Sequence, residues 1–162
     1  MSTAMSQSKT LPLNRTQAAL TKVNATVDLD WIRRKLADTE DGPGWSDEKT
    51  AAVEREYRRF LALCLAEPSR PTVPYKEVDE MWHAHILDTE KYARDCQNLF
   101  GFFYHHFPYF GMRGAEDAQN LRDAYDETIA RYEAAFGTPQ PETWPQGSGR
   151  SCRTKCRPMR CK

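Results

Sequence analysis

Apolar residues recur every three or four positions in four stretches of this chain, a spacing that places them on one face of an α-helix. The pattern predicts helices over about 27–38, 46–66, 75–100 and 115–136, without a convincing strand or internal repeat. Short connections between such helices allow their apolar faces to pack together. The predicted fold class is therefore all-α: a compact bundle of about four helices with disordered N-terminal and C-terminal tails.

Capping residues and helix breakers mark the ends of these helices. Thr26 is the predicted N-cap of the first helix, and the run Asp41-Gly42-Pro43-Gly44 ends it. Ser46 is the predicted N-cap of the second helix, because a serine side chain can accept from the free N–H groups of the first turn. Gly101 and Gly137 are expected to end the third and fourth helices, since glycine adopts the left-handed conformation common there.

Composition divides the chain into one folded domain and two flanking segments. Residues 1–25 are rich in Ser, Thr, Gln and Lys without periodicity, and are predicted to be disordered. The helical domain is expected over 26–137, followed by a linker and a basic cysteine-containing tail over 138–162. A length of 162 residues suits one domain that needs no disulfide or metal to stabilise its core.

The balanced charge of 23 basic and 23 acidic residues conceals an asymmetry. Six basic residues and no acidic one lie between Arg150 and Lys162, so the rest of the chain carries 17 basic against 23 acidic residues, a charge of about −6. An acidic body argues against general nucleic-acid binding, except through the basic tail. The partner is expected to be a protein or a small molecule.

No apolar run approaches the length of a transmembrane helix, and the first residues lack a secretory signal. We therefore expect no membrane association and a cytoplasmic location, where thiols stay reduced. Cys64 and Cys96 lie within helical patterns and are predicted to be small core residues rather than a disulfide pair.

All four histidines fall within 24 positions, in the segment 78–114. On a helix His83 and His85 project about 200° apart, so they cannot both bind one metal unless the helix is distorted. Asp79 and His83, four residues apart, share a face. His85 instead falls on the apolar stripe with Trp82, which places it toward the core.

Imidazole and carboxylate groups are the usual ligands of zinc and non-haem iron. Because the helix ends at Gly101, the next segment can fold back toward it. The predicted ligands of a divalent metal, zinc or iron, are Asp79, His83, His105 and His106. Trp82 and His85 are assigned to the same region as candidate cofactor-binding residues.

A purely structural account of the same residues stays open. The pair Asp79–His83 could simply orient its helix, and His105 and His106 could pin an aromatic loop. His85 could be a hydrogen-bonded core residue. The spacing matches no standard zinc signature, and H-E-x-x-H is absent.

A long run of aromatic residues and histidines carries a family resemblance. The run V-D-E-M-W-H-A-H-I-L-D-T-E-K-Y-A-R-D-C, with L-F-G-F-F-Y-H-H-F-P-Y-F-G-M-R-G after it, resembles the glycine-rich domain-containing protein-like family. The resemblance covers about 37 residues well and 27–137 loosely, without that family's Gly-rich segments. It implies no reaction. It implies that the following residues belong to one site: Asp79, Trp82, His83, His85, Cys96 and His105 or His106.

The basic tail contains a second group of potential ligands. Cys152, Cys156 and Cys161 give the spacing C-x3-C-x4-C among lysines and arginines. Neighbouring cations favour the reactive thiolate. Three thiolates could bind Cu(I) or Zn(II), form an intermolecular disulfide or undergo modification by another enzyme. The alternative is a disordered tail with incidental cysteines.

These observations favour a metal- or ligand-binding helical module with a His/Asp/Trp site and a cysteine-rich basic tail. One alternative is a protein-interaction adapter whose histidines are purely structural. Another is a metal-dependent enzyme, or thiol-based metal or redox handling through the tail. Whether the chain is an enzyme stays open, because no nucleophile–base pair of known spacing occurs in it.

Overall fold

A computed structural model describes residues 11–141 and 144, with side chains from Arg15 onward. Over these residues the regular structure is helical and contains no strand, which confirms the all-α class. The prediction of about four helices is wrong, because the described chain forms six. These are α1 (Leu11–Thr26), α2 (Asp30–Ala37), α3 (Asp47–Ala66), α4 (Lys76–Leu87), α5 (Thr89–Phe100) and α6 (Ala115–Phe136).

Helix α1 lies within the segment that was predicted to be disordered, so that prediction is wrong for residues 11–25. Its buried face is small: Thr16, Ala19 and Val23 are each at most 7% exposed. Such short side chains give little apolar periodicity in the sequence. The helix is stabilised instead by packing, chiefly against α3.

Polar side chains of α1 also donate hydrogen bonds to carbonyl groups at the C-terminal ends of two other helices. The Gln17 amide donates to the Ala135 carbonyl oxygen at 2.8 Å, at the end of α6. The Lys22 ammonium donates to the Leu99 carbonyl oxygen at 2.8 Å, at the end of α5. The final carbonyl groups of a helix have no partner within it, so these contacts link α1 to both helices.

Helix α2 begins at Asp30, and Thr26 is the last residue of α1 rather than an N-cap. Three of the other predicted ends, at Ser46, Gly101 and Gly137, are confirmed. The Ser46 hydroxyl accepts from the Lys49 amide at 3.2 Å at the start of α3. Gly101 caps α5 with φ of 77°, in the left-handed region, and Gly137 follows α6.

The single helix predicted over 75–100 is two helices, α4 and α5, separated at Asp88. Asp88 has ψ of 72°, which is incompatible with a continuous helix. Trp82 Nε1 donates to Tyr92 Oη at 3.0 Å, and His85 Nε2 lies 2.9 Å from Asp95 Oδ2. Residues ten apart in one straight helix would be about 15 Å apart along its axis. The chain therefore turns sharply at Asp88 and brings α5 back beside α4.

The core includes three apolar residues that the sequence placed on helical stripes. Trp82, Cys64 and Cys96 are 5%, 0% and 2% exposed. Burial raises the pKa of Cys64 to about 12, so its thiol stays protonated at neutral pH. Among the described residues, no helix has the length and apolar character needed to span a bilayer.

The chain after α6 does not behave only as a linker. Trp144 is fully buried, and its indole Nε1 donates to Glu56 Oε2 at 3.0 Å. The linker prediction is therefore wrong at this residue. Cys152, Cys156 and Cys161 lie outside the described residues, as do residues 1–10.

Candidate metal centre

Helix α4 and the segment that follows α5 bring three predicted ligands together. Asp79 and His83 lie one turn apart on α4, as their spacing predicted. His106 belongs to the non-helical segment after Gly101, which returns across α4. Asp79, His83 and His106 can each offer one ligand atom, and these three atoms lie within 4.8 Å of one another. We call these three residues the triad.

The distances within the triad are short. His83 Nε2 lies 3.0 Å from His106 Nε2, and His106 Nε2 lies 3.1 Å from Asp79 Oδ1. His83 Nε2 lies 3.5 Å from Asp79 Oδ2. Ligand atoms bound at about 2.0–2.2 Å to one ion, at angles of about 90–109°, are about 2.8–3.6 Å apart. The triad therefore has the separations of a mononuclear metal centre.

The triad lies at the edge of the core rather than inside it. The side chains of Asp79, His106 and His83 are 7%, 12% and 25% exposed. Burial lowers the pKa of His83 against the opposing effect of Asp79, and His106 lowers it further. The neutral imidazole that a metal requires is thus favoured at His83, and solvent still reaches its ring.

Trp82 packs against one member of the triad, His106. Its ring meets the His106 ring edge-on, with centroids 4.6 Å apart. A residue this buried can orient His106, but the structure shows no open indole face for a cofactor. The sequence assignment of Trp82 as a cofactor-binding residue stays a prediction.

His85 points away from the triad, as the helical phase predicted. It is 1% exposed, and its Nδ1 lies 2.8 Å from the Tyr57 hydroxyl oxygen while its Nε2 lies 2.9 Å from Asp95 Oδ2, both within hydrogen-bond distance. Burial raises the pKa of Asp95, but hydrogen bonds from His85 and from Lys91 outweigh it and hold that pKa below its ordinary value. Both ring nitrogens of His85 therefore have hydrogen-bonding partners within the protein. The sequence assignment of His85 as a cofactor-binding residue stays a prediction.

His105 is not part of the triad. Its side chain is exposed, and its ring packs on Phe103 with centroids 4.8 Å apart. Successive residues of an extended segment project to opposite sides, so only one of two adjacent histidines faces α4. Cys96, which the resemblance placed in the common site, is a buried core residue.

Two buried carboxylates that the sequence analysis missed organise the core. Glu56 Oε2 accepts from the Tyr132 hydroxyl at 2.6 Å and from the Trp144 indole, and Asp95 accepts from His85. A signal for Glu56 was present: it falls three residues after Val53, on the apolar stripe of α3. An acid on such a stripe indicates a buried hydrogen-bonded group.

Comparison with known families places this chain in a family. The UCP032817-like family matches residues 29–138, more than half of the chain. The chain belongs to the UCP032817-like family. The resemblance to the glycine-rich domain-containing protein-like family was wrong, because the matching family is a different one. No curated protein and no solved structure matches the chain.

The UCP032817-like region contains α2 to α6 and the complete triad. Helix α1 and Trp144 lie outside it, although both pack on its core. The family description names no activity. The function of this UCP032817-like chain must therefore be argued from its site.

Proposed function

We propose that this UCP032817-like protein is a metal-binding helical module in which Asp79, His83 and His106 hold one divalent ion, zinc or iron(II). The observation that carries this proposal is the convergence of two imidazole nitrogens and a carboxylate oxygen at 3.0–3.5 Å. Two histidines and one carboxylate are a ligand set used by zinc and non-haem iron proteins.

Hydrogen bonding accounts for this geometry less well than a metal does. An imidazole nitrogen carries either one hydrogen or one lone pair. His106 Nε2 lies within hydrogen-bond distance of both His83 Nε2 and Asp79 Oδ1. A single hydrogen can point well at only one of them, whereas a cation between the three atoms accepts a lone pair from each.

Three protein ligands leave room for water or a substrate on the ion, unlike the four-ligand structural zinc sites. The partial exposure of His83 supports access from solvent. A metal-dependent enzyme, the alternative from the sequence, would use these same residues.

The proposal is tested by metal titration of the full chain purified without a polyhistidine tag. We expect one zinc or cobalt ion per chain, and loss of binding in both His83→Ala and His106→Ala. His105→Ala is the matched control, because it removes the exposed neighbouring histidine and should bind like the parent. Melting curves should show all three variants folded. Stoichiometric metal retained by both His83→Ala and His106→Ala would overturn the proposal.

The tail cysteines offer a competing location for a bound metal. A variant with Cys152, Cys156 and Cys161 all changed to Ser should keep the ion if the triad binds it. Loss of all bound metal in this variant would favour Cu(I) or Zn(II) handling by the tail, which stays a prediction.

A second candidate function is a protein-interaction adapter, which the exposed aromatic segment favours. Its large apolar side chains are 44–59% exposed: Phe102, Phe103, Phe107, Tyr109 and Met112. Exposed apolar groups in one segment often mark a protein-binding surface. The change Phe107→Ser with Tyr109→Ser should then remove a partner that crosslinks to the parent chain, without lowering metal affinity. An identical crosslinking pattern would count against this candidate.

A further inference from the structure

We infer that Tyr92 is a positioning residue of the proposed metal centre, whose hydroxyl fixes the segment that carries His106 against α4. This inference rests on the proposed function and deepens it. Tyr92 lies on α5 and belongs neither to the triad nor to the segment after Gly101.

The Tyr92 hydroxyl connects α4 to the returning segment. It accepts from Trp82 Nε1 at 3.0 Å and donates to the Tyr104 carbonyl oxygen at 2.5 Å. Tyr92 is 2% exposed, so water cannot readily replace either bond. One buried oxygen therefore ties α4, α5 and the returning segment together.

Both of these hydrogen-bonding partners of the hydroxyl are close to His106, one in the sequence and one in space. Tyr104 precedes His106 by two residues, so fixing its carbonyl group restricts where the His106 backbone can lie. Trp82, the donor to Tyr92, also packs its ring on the His106 ring. The hydroxyl thus sets the backbone of the ligand through one partner and its ring through the other.

Other contacts also anchor Tyr104, but they do not involve its carbonyl group. Its ring stacks on Phe100 at 4.8 Å between centroids, and its hydroxyl hydrogen-bonds with the Cys64 thiol. These contacts hold the side chain of Tyr104 in the core. The Tyr104 N–H group also bonds the Cys96 thiol. The bond from Tyr92 is made to the Tyr104 carbonyl oxygen, which belongs to the peptide that leads toward His106.

Loss of the hydroxyl can be separated from loss of the ring. The Tyr92 ring packs on His85 and Phe103, with centroids 5.0 and 5.3 Å apart. Tyr92→Phe keeps these ring contacts and removes only the hydrogen bonds of the hydroxyl, which include one with the Cys96 thiol besides those with Trp82 and Tyr104. Groups that orient metal ligands typically contribute about 10- to 100-fold to metal affinity.

The test is a cobalt(II) titration of the full chain followed by visible absorption, whose d–d bands report the geometry around the ion. Tyr92→Phe should bind cobalt about 10- to 100-fold more weakly than the parent and with altered bands. Tyr57→Phe is the matched control. It also removes a buried tyrosine hydroxyl, one that bonds His85 at 2.8 Å rather than a member of the triad, so its affinity and bands should match the parent.

The outcomes separate this inference from the proposed function. If the parent and Tyr92→Phe bind cobalt with equal affinity and identical bands, Tyr92 is not a positioning residue, while the proposed function stands. Equal weakening in both tyrosine variants would indicate general loosening of the fold and would also overturn the inference. If the parent binds no cobalt, both proposals fail.

A second variant covers the case in which Tyr92→Phe does not fold. Trp82→Phe removes the donor to the Tyr92 hydroxyl and replaces the indole that packs on His106 with a smaller ring. A folded Trp82→Phe should also bind cobalt more weakly than the parent. Unchanged cobalt affinity and unchanged bands in this variant would contradict the positioning role.

Discussion

Substitution of His85 by alanine should cost stability and leave metal binding intact. The change removes a ring that is 1% exposed and leaves two hydrogen-bonding partners, the Tyr57 hydroxyl and the Asp95 carboxylate. An unpaired buried polar group costs about 1–3 kcal/mol. Asp95 keeps its bond to Lys91 at 2.9 Å, so the cost of removing its bond with His85 should be near the lower end of that range. With the void left by the ring, we expect a total loss of about 3–5 kcal/mol.

Urea unfolding, followed by circular dichroism, measures this loss. Stability of a domain is about 5–15 kcal/mol, so the variant should remain folded at 25 °C with a much lower midpoint. His105→Ala serves as the control, because its exposed ring should change stability by less than about 0.5 kcal/mol.

A double-mutant cycle isolates the hydrogen bond between Tyr57 and His85. Tyr57→Phe should cost less in the His85→Ala variant than in the parent, since the hydroxyl has already lost its partner there. The expected coupling is about 1–3 kcal/mol. Additive losses in the cycle, or loss of metal from folded His85→Ala, would refute this account of the core.

Two further changes test the C-terminal contact and the end of the aromatic segment. Trp144→Ala should lower stability by about 3–5 kcal/mol, measured by urea unfolding, because it removes a fully buried ring and a donor to Glu56. Deletion of residues 150–162 should leave the melting temperature nearly unchanged, and equal melting of parent and Trp144→Ala would contradict the contact. Hydrogen bonds from Arg113 lower the pKa of Asp117 to about 2. A lowered pKa stabilises the fold above the unfolded value of about 3.9, so Asp117→Asn should melt below the parent at pH 7, and the difference should shrink as the pH falls below about 4 and through the folded value of about 2. A difference at pH 2 as large as that at pH 7 would show that ionisation of Asp117 is not its cause.

Local signals predicted much of the fold. Ser46 and Gly101 act through the atoms of their own turn, and the structure has both where the sequence placed them. The turn at Asp88 gave no such signal, because the three- and four-residue spacing of apolar positions continues through it. Helix α1 was missed for another reason. Its small apolar residues are buried by contacts with distant parts of the chain.

For the candidate site too, contacts within one helix were predictable from the sequence, whereas contacts between distant segments were not. Asp79 and His83 share a face of one helix, which follows from their spacing alone. The choice between His105 and His106 depends on how the segment after Gly101 crosses α4. That path depends on contacts such as the bond from Tyr92 to the Tyr104 carbonyl group, which join residues with no shared periodicity.

The turn at Asp88 explains how one short helix can carry two histidines with different partners. Because α5 folds back along α4, Asp95 reaches His85 and closes a buried network on that side. His83 projects about 200° away and meets His106. The same turn places Tyr92 beside Trp82, where its hydroxyl can hold the segment that delivers His106. A continuous helix over 75–100 would separate both pairs by about 15 Å, so the turn at Asp88 is a precondition of the triad as well as of the core.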